Sequence, residues 1–176
     1  KAYKRVVLQV VNGSQVRTSL PRNAYDFYPT PEWCYENLSI DWSLFKTAHE
    51  PCKGDGRILS FLENKGIETS WTEIQEGKDY FEWSGKVDLI LTNPPFSIAK
   101  EFIEHSMMCS TTVIMLLRIN FLGSQARHDF WNQFPPDGLI ILSKRPSFTG
   151  KGTDATDYAW FVWSDKKELH GFRWIK

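Results

Sequence analysis

The chain lacks net charge. Its 176 residues carry 21 Lys and Arg against 21 Asp and Glu, which argues against a protein held on nucleic acid by bulk charge alone. It is poor in cysteine, with only Cys34, Cys52 and Cys109. The number is odd and no two sit at metal-ligand spacing, so neither a disulfide framework nor a metal site is expected. These read as reduced thiols in a cytoplasmic protein. No apolar run approaches the ~20 residues of a membrane span, and no signal-peptide pattern is visible, so no membrane partner is expected. Repeats and low-complexity tracts are absent too.

Aromatic residues are plentiful. They make up 15% of the chain, with 8 Trp and 12 Phe, in a composition that is 41% hydrophobic. This is the composition of a globular protein, and the length predicts one domain spanning 1–176. The zero charge hides an uneven distribution. Residues 1–22 hold five basic and no acidic residues, residues 23–97 are net −7, and residues 98–176 are net +2. An acidic middle between basic ends suits a cofactor half beside a polyanion-binding surface, and it also suits ordinary solvated charge.

Val6 to Ser19 alternates around Asn12-Gly13, the signature of a two-residue β-hairpin turn. Asp26-Phe27-Tyr28-Pro29-Thr30-Pro31 is too proline-rich for regular structure. Pro31 opens a short helix to about Leu38. From there strand and helix alternate: a strand ending near Glu50, a helix over Arg57 to Lys65, a strand over Ile67 to Ile74, and an apolar strand Val87 to Thr92. A helix Ile98 to Met108, a central strand Thr111 to Leu117 and a helix Gln125 to Phe134 follow. Gly138 to Ser143 and Tyr158 to Trp163 form two last strands that pair antiparallel. The pattern predicts an α/β fold of Rossmann-like type, a mostly parallel seven-stranded sheet with helices on both faces, plus the N-terminal β-hairpin.

Three motifs carry chemistry. In Glu50-Pro51-Cys52-Lys53-Gly54-Asp55-Gly56 an acid ends a strand and a glycine turn opens a helix. Glycines let the backbone approach a ligand at the carboxyl end of a sheet. A plain tight turn has the same residues, and neither the dinucleotide fingerprint nor a P-loop is complete here. Second, Glu73 stands where an acid accepts hydrogen bonds from ribose hydroxyls. Asp79, followed by Tyr80 and Phe81, pairs a receiver for a purine amino group with a ring that stacks. Each of these also reads as a surface acid or a core aromatic. The third motif, Asn93-Pro94-Pro95-Phe96, directly follows the buried strand. Two prolines fix the backbone and remove two N–H donors, leaving carbonyl oxygens toward a cleft. With the Asn93 amide oxygen and the Phe96 ring they suit an amino group on a flat heterocycle.

Taken together, an acid-Pro-x-x-Gly-x-Gly turn followed by Asn-Pro-Pro-Phe resembles the S-adenosylmethionine-dependent amino-methyltransferases, specifically Dam-like adenine-N6 enzymes. The proline-rich phrase at 26–31 resembles the family's N-terminal cofactor motif. Arg145-Pro146-Ser147-Phe148 with Gly150 and Gly152, then Tyr158 to Trp163, looks like small phage-type members. The resemblance covers roughly Tyr25 to Trp163.

It implies an enzyme that moves a methyl group from S-adenosylmethionine to the N6 amino group of adenine in DNA. It places Tyr28, Thr30, Glu50, Pro51, Gly54 and Gly56 at the cofactor's methionine end, Glu73 on its ribose, and Asp79 with Tyr80 or Phe81 on its adenine. Asn93 touches both cofactor and target. The implied catalytic set is Asn93, Pro94, Pro95 and Phe96. The base sits on Phe96, with Phe148 on its other face, and Arg118, Asn120, Gln125, Arg127, Arg145 and Lys151 reach the nucleic acid. A base inside a duplex must be flipped out. Larger relatives carry a separate recognition domain, and none is expected within this chain. The expected target is therefore short or relaxed, and a second subunit forming a homodimer is an expected source of further contacts. Asn-Pro-Pro-Phe/Tyr also serves RNA and protein-glutamine methyltransferases, and a silent binding module keeps the same fold. Both stay open at this point.

Overall fold

The computed structural model describes residues 29–148 and 154–176. The expected hairpin, the Asp26 to Tyr28 part of the proline-rich phrase, and Gly150, Lys151 and Gly152 lie outside them. Chain order gives α1 (Trp33–Glu36), β1 (Thr47–Glu50), α2 (Arg57–Asn64), β2 (Glu68–Trp71), β3 (Val87–Thr92) and α3 (Ala99–Cys109), then β4 (Ser110–Arg118), α4 (His128–Gln133), β5 (Gly138–Leu142), β6 (Tyr158–Ser164) and β7 (Gly171–Ile175). The strands form one seven-stranded sheet in the order β2-β1-β3-β4-β6-β5-β7. Every pairing is parallel except those of β6, which runs antiparallel to both β4 and β5.

The sheet is covered on both faces, and the alternation of each central strand divides its side chains between them. Leu89, Leu91, Ile114, Leu116, Trp160 and Val162 join a core with Tyr35 of α1 and Ile58 and Leu62 of α2. Ile90, Val113, Met115, Leu117, Phe161 and Trp163 face the other way, onto Phe102 and Ile103 of α3 and Phe130 of α4. Two buried indoles fasten the layers. Trp160 Nε1–H donates to the Cys34 carbonyl at 2.7 Å, and Trp163 Nε1–H to that of Phe134 at 3.0 Å. A buried indole N–H needs such a partner. Among the described residues no helix is long and apolar enough to cross a membrane.

The sequence reading needs four adjustments. β2 stops at Trp71, short of Ile74, because Glu73 accepts the Gln75 N–H and opens a 3-10 turn over Ile74–Glu76. Residues 125–134 form two elements, a 3-10 turn Gln125–Arg127 and then α4. The helix beginning at Pro31 is a single turn. The seventh strand, β7, is one that the pattern did not locate.

This topology positions the site. β1, β3 and β4 end on one edge, at Glu50, Thr92 and Arg118. Because β6 is antiparallel, its first residue, Tyr158, stands directly opposite Arg118 on that same edge.

Candidate functional site

The loop after β1 is shaped by its glycines and stitched to the loop after β2. Gly54 and Gly56 have φ of +55° and +81°, the left-handed region that glycine occupies without penalty. Gly56 is also the residue preceding α2. Lys53 N–H donates to the Thr72 carbonyl at 3.2 Å, Thr72 N–H to the Glu50 carbonyl at 3.1 Å, and the Thr72 hydroxyl to the Pro51 carbonyl at 2.9 Å.

The expected cofactor acids sit in this stitched region. Glu50 is buried, and its Oε1 accepts the Thr92 hydroxyl at 2.5 Å and the Cys52 N–H at 3.0 Å. Oε2 has no hydrogen-bond partner among the described residues. Burial pushes this carboxyl up to about 8, against the pull of its Thr92 and Cys52 hydrogen bonds. Glu73 accepts the Gly54 N–H at 2.9 Å through one oxygen and the Gln75 N–H at 3.1 Å through the other. Asp79 accepts the Phe81 N–H at 2.9 Å. Tyr80 and Phe81 part company. The Tyr80 ring is only 3% exposed, packed among His49, Trp83, Phe102 and His105, with its hydroxyl 2.7 Å from Ser106. It is a core residue, which corrects its expected place against a cofactor ring. Phe81 is the half-buried one of the two.

The third loop brings the N-terminal and central motifs together. Asn93 Nδ2–H donates to the Thr30 hydroxyl at 3.0 Å, although 63 residues separate them. That bond orients the amide, and its Oδ1 is buried without a partner among the described residues. Pro94 is buried and Pro95 half-buried, and Pro95 precedes a 3-10 turn at Phe96–Ile98.

An aromatic wall continues from Phe96. Its ring centroid lies 5.6 Å from that of Tyr158, which lies 5.2 Å from that of Phe148. The Arg118 guanidinium carbon is 5.0 Å from the Phe96 centroid. Phe96, Arg118, Tyr158 and Phe148 thus form one connected cluster.

The remaining expected contacts with nucleic acid diverge. Asn120 and Gln125 are exposed. Gln125 joins His128, Trp131 and Asn132 along a surface groove of about 540 Å³. Arg145 is exposed and paired with Asp157 at 2.8 Å. Arg127 braces its own loop: one guanidinium nitrogen donates to the carbonyls of Phe121 at 3.2 Å and Gly123 at 2.8 Å, and the group lies 4.4 Å from the Phe121 ring. Tyr28 and Lys151 lie outside the described residues.

Sequence reasoning passed over Thr92, Asp154 and Tyr158 as site residues. Thr92, the last residue of β3, links Glu50 to the Asn93 loop. Its position beside Asn93 was the available signal. It also passed over His49, whose buried ring stacks on Trp83 at 3.7 Å and holds Ser70 and Thr72. Burial drops this imidazole to about 3.

No protein-family model and no curated protein matches the chain. Solved structures do. A candidate RNA methyltransferase from Pyrococcus horikoshii superposes with a TM-score of 0.63 at 15% identity, over 82% of this chain and 89% of that one. A modification subunit of a candidate type I restriction enzyme from Vibrio vulnificus YJ016 gives 0.61 at 12%, over 99% of this chain and 52% of its own. A candidate class I S-adenosylmethionine-dependent methyltransferase from Listeria monocytogenes gives 0.52 at 14%, over 97% and 72%. The chain has their Rossmann-like methyltransferase fold. It spans about half the length of the Vibrio subunit. At these identities the likeness is one of fold, and function has to be argued from the site.

Proposed function

We propose that this protein is an S-adenosylmethionine-dependent methyltransferase acting on the N6 amino group of adenine in DNA. The observation that carries the reading is the Asn93 amide: tied by its nitrogen to Thr30, it keeps a buried oxygen without a hydrogen-bond partner among the described residues, three positions before Phe96. A buried acceptor left unsatisfied is costly, and an amino donor from a bound base removes that cost.

The residues present fit the cofactor. Glu50 offers a buried carboxyl oxygen without a partner among the described residues, and a Cβ at Gly56 would meet none of the described residues within 4 Å. Glu50, Pro51, Gly54 and Gly56 would hold the methionine end, with Glu73, Asp79 and Phe81 toward the nucleoside. When bound, S-adenosylmethionine supplies a methyl group on a positively charged sulfur. The chain's own residues supply position. The Asn93 oxygen and the Pro94 carbonyl accept the two N–H groups of the target amine, which favours a pyramidal nitrogen with an available lone pair. Phe96 stacks on the base, and Phe148, Arg118, Asn120, Gln125 and Arg145 are the proposed contacts beyond it. Preorganised polar contacts and orientation then provide the rate, with no covalent enzyme intermediate.

The test is transfer of labelled methyl groups from S-adenosylmethionine to DNA, RNA and protein offered separately, followed by nucleoside analysis. The expected product is N6-methyladenine in DNA. Label confined to RNA or protein would overturn the choice of acceptor. No transfer, together with no calorimetric binding of S-adenosylhomocysteine, would overturn the methyltransferase reading itself.

A further inference from the structure

We propose that Tyr158 and Asp154 are positioning residues for the target base, holding the Arg118 guanidinium over Phe96 so that the aromatic wall of the cleft keeps one shape. This rests on the preceding reading of Asn93 and Phe96 as the acceptor end of the site.

The three side chains contact one another. Arg118 ends β4 and Tyr158 begins β6, paired across the antiparallel ladder. The Tyr158 hydroxyl accepts the Arg118 Nε–H at 3.0 Å and donates to Asp154 Oδ2 at 2.6 Å. The second carboxylate contact closes the loop, with Asp154 Oδ2 3.6 Å from an Arg118 terminal nitrogen. Asp154 is fixed in turn, since its N–H donates to the Pro146 carbonyl at 3.0 Å and its Oδ1 accepts the Thr156 N–H at 3.3 Å.

Packing alone does not require this hydroxyl. The Tyr158 ring is fully buried against Phe96 and Phe148, and a phenylalanine ring fills the same volume. The oxygen reaches Arg118 and Asp154, and hydrogen bonds in such a chain polarise one another between a cation and an anion. Burial and the Asp154 hydrogen bond push the phenol up to about 12, so it stays a donor at every working pH. Arg118 is half-exposed and flexible by nature, so the Tyr158 hydroxyl and the Asp154 carboxylate help to keep its planar face against Phe96. A wall that shifts misplaces the base relative to the Asn93 oxygen, and small misplacements cost rate steeply.

The experiment compares wild type with Tyr158→Phe, Asp154→Ala and the double variant. It reads kcat and KM for DNA, calorimetric binding of S-adenosylhomocysteine, and melting temperature. The expected result is kcat lowered about ten- to a hundredfold in each single variant. Cofactor affinity should stay within about twofold, and the double variant should be no worse than the poorer single one, because both act through Arg118. Asp154→Asn, which keeps the acceptor, should recover part of the loss. Wild-type kinetics in Tyr158→Phe would overturn the proposal, as would independent, multiplying losses or a loss confined to melting temperature. Wild type silent on DNA, RNA and protein would overturn the functional reading and this proposal with it. An active wild type beside an unaffected Tyr158→Phe would overturn the positioning role alone.

Discussion

The two halves of the proposed site meet the same edge of the sheet but are held in different ways. In the half built by the loops after β1 and β2, Glu50, Glu73 and Asp79 all accept backbone N–H groups two residues ahead, and Glu73 adds the N–H of Gly54. Those loops are moulded by bonds that run to backbone groups, within each loop and between the two. In the half built by the end of β4 and the start of β6, the polar atoms meet as side chains across long stretches of sequence: Arg118 with Tyr158 and Asp154, and Arg145 with Asp157. A mould made of backbone sets a fixed receptacle for a ligand of constant shape. A wall made of cross-strand side chains can be retuned by single substitutions, which suits the proposed substrate side. Thr92 and Asn93 join the two halves through Glu50 and Thr30.

The largest expected effect is at that junction. Asn93→Ala removes the buried acceptor and frees the Thr30 hydroxyl. Turnover should fall about 10²–10³-fold, the usual cost of deleting one preorganised polar group, while S-adenosylhomocysteine binding stays within a few-fold of wild type. Single-turnover methyl transfer measures the first and calorimetry the second. A wild-type rate would remove Asn93 from the chemistry, and a matching loss of cofactor affinity would erase the division between the halves.

That division also explains what the sequence made legible. The β1 glycine turn, the apolar β3 strand and Asn93-Pro94-Pro95-Phe96 are signals confined to a few consecutive residues, and all three lie at the predicted edge. Arg127 was read as a partner for bases because arginine is a common reader. Only the folded loop shows that one of its guanidinium nitrogens also meets two carbonyls of its own loop. Tyr80 follows an acid just as Phe81 follows Tyr80, and no local rule says which ring turns inward. Asp154 and Tyr158 gain meaning only from the antiparallel placement of β6, a long-range property. β7 escaped notice for a related reason. Phe172 and Trp174 alternate as in a strand, but they are 71% and 65% exposed, so the pattern carries no sign of a buried face.

The next effect tests the moulded half through pH. Glu50 has an ordinary value of 4.5 and sits at about 8 in the folded chain. Between these values the folded state holds a proton that the unfolded state has lost, so stability falls as pH rises across that window. The contribution is of the order of a few kcal/mol at most. Glu50→Gln imitates the protonated carboxyl and should resemble wild type near pH 5 but unfold at a clearly higher temperature near pH 8. Melting curves at the two pH values measure the gap, and one that does not widen with pH would refute the burial argument.

A smaller effect separates backbone shape from space. A Cβ at Gly56 meets none of the described residues within 4 Å, so among them Gly56→Ala pays only for its φ of +81°. Left-handed backbone costs an L-residue roughly 1–2 kcal/mol. Urea unfolding should show a loss of this size with an unchanged slope. A negligible loss would mean that the loop relaxes and that its shape is less fixed than its hydrogen bonds imply.

The smallest effect belongs to the other half, at Arg145. Its side chain is exposed and its partner Asp157 is more so, and such pairs contribute little to folding. Arg145→Ala should therefore leave the melting temperature where it is. If the proposed contact of Arg145 with DNA is made to a phosphate, the change appears instead in the salt dependence of DNA binding. Each neutralised phosphate contributes about 0.9 to the slope of log K against log salt on a duplex and about 0.7 on a single strand. The variant should lose roughly one such increment, measured by fluorescence anisotropy across a salt series. Arg127→Ala is the contrasting case, because its guanidinium braces Phe121 and Gly123. It should lower stability and leave the salt slope nearly unchanged. Two arginines 18 positions apart would then report separately on a surface that meets nucleic acid and a loop that supports it. The opposite pattern, a stable Arg127→Ala with a reduced slope, would make Arg127 the phosphate contact and reassign the wall.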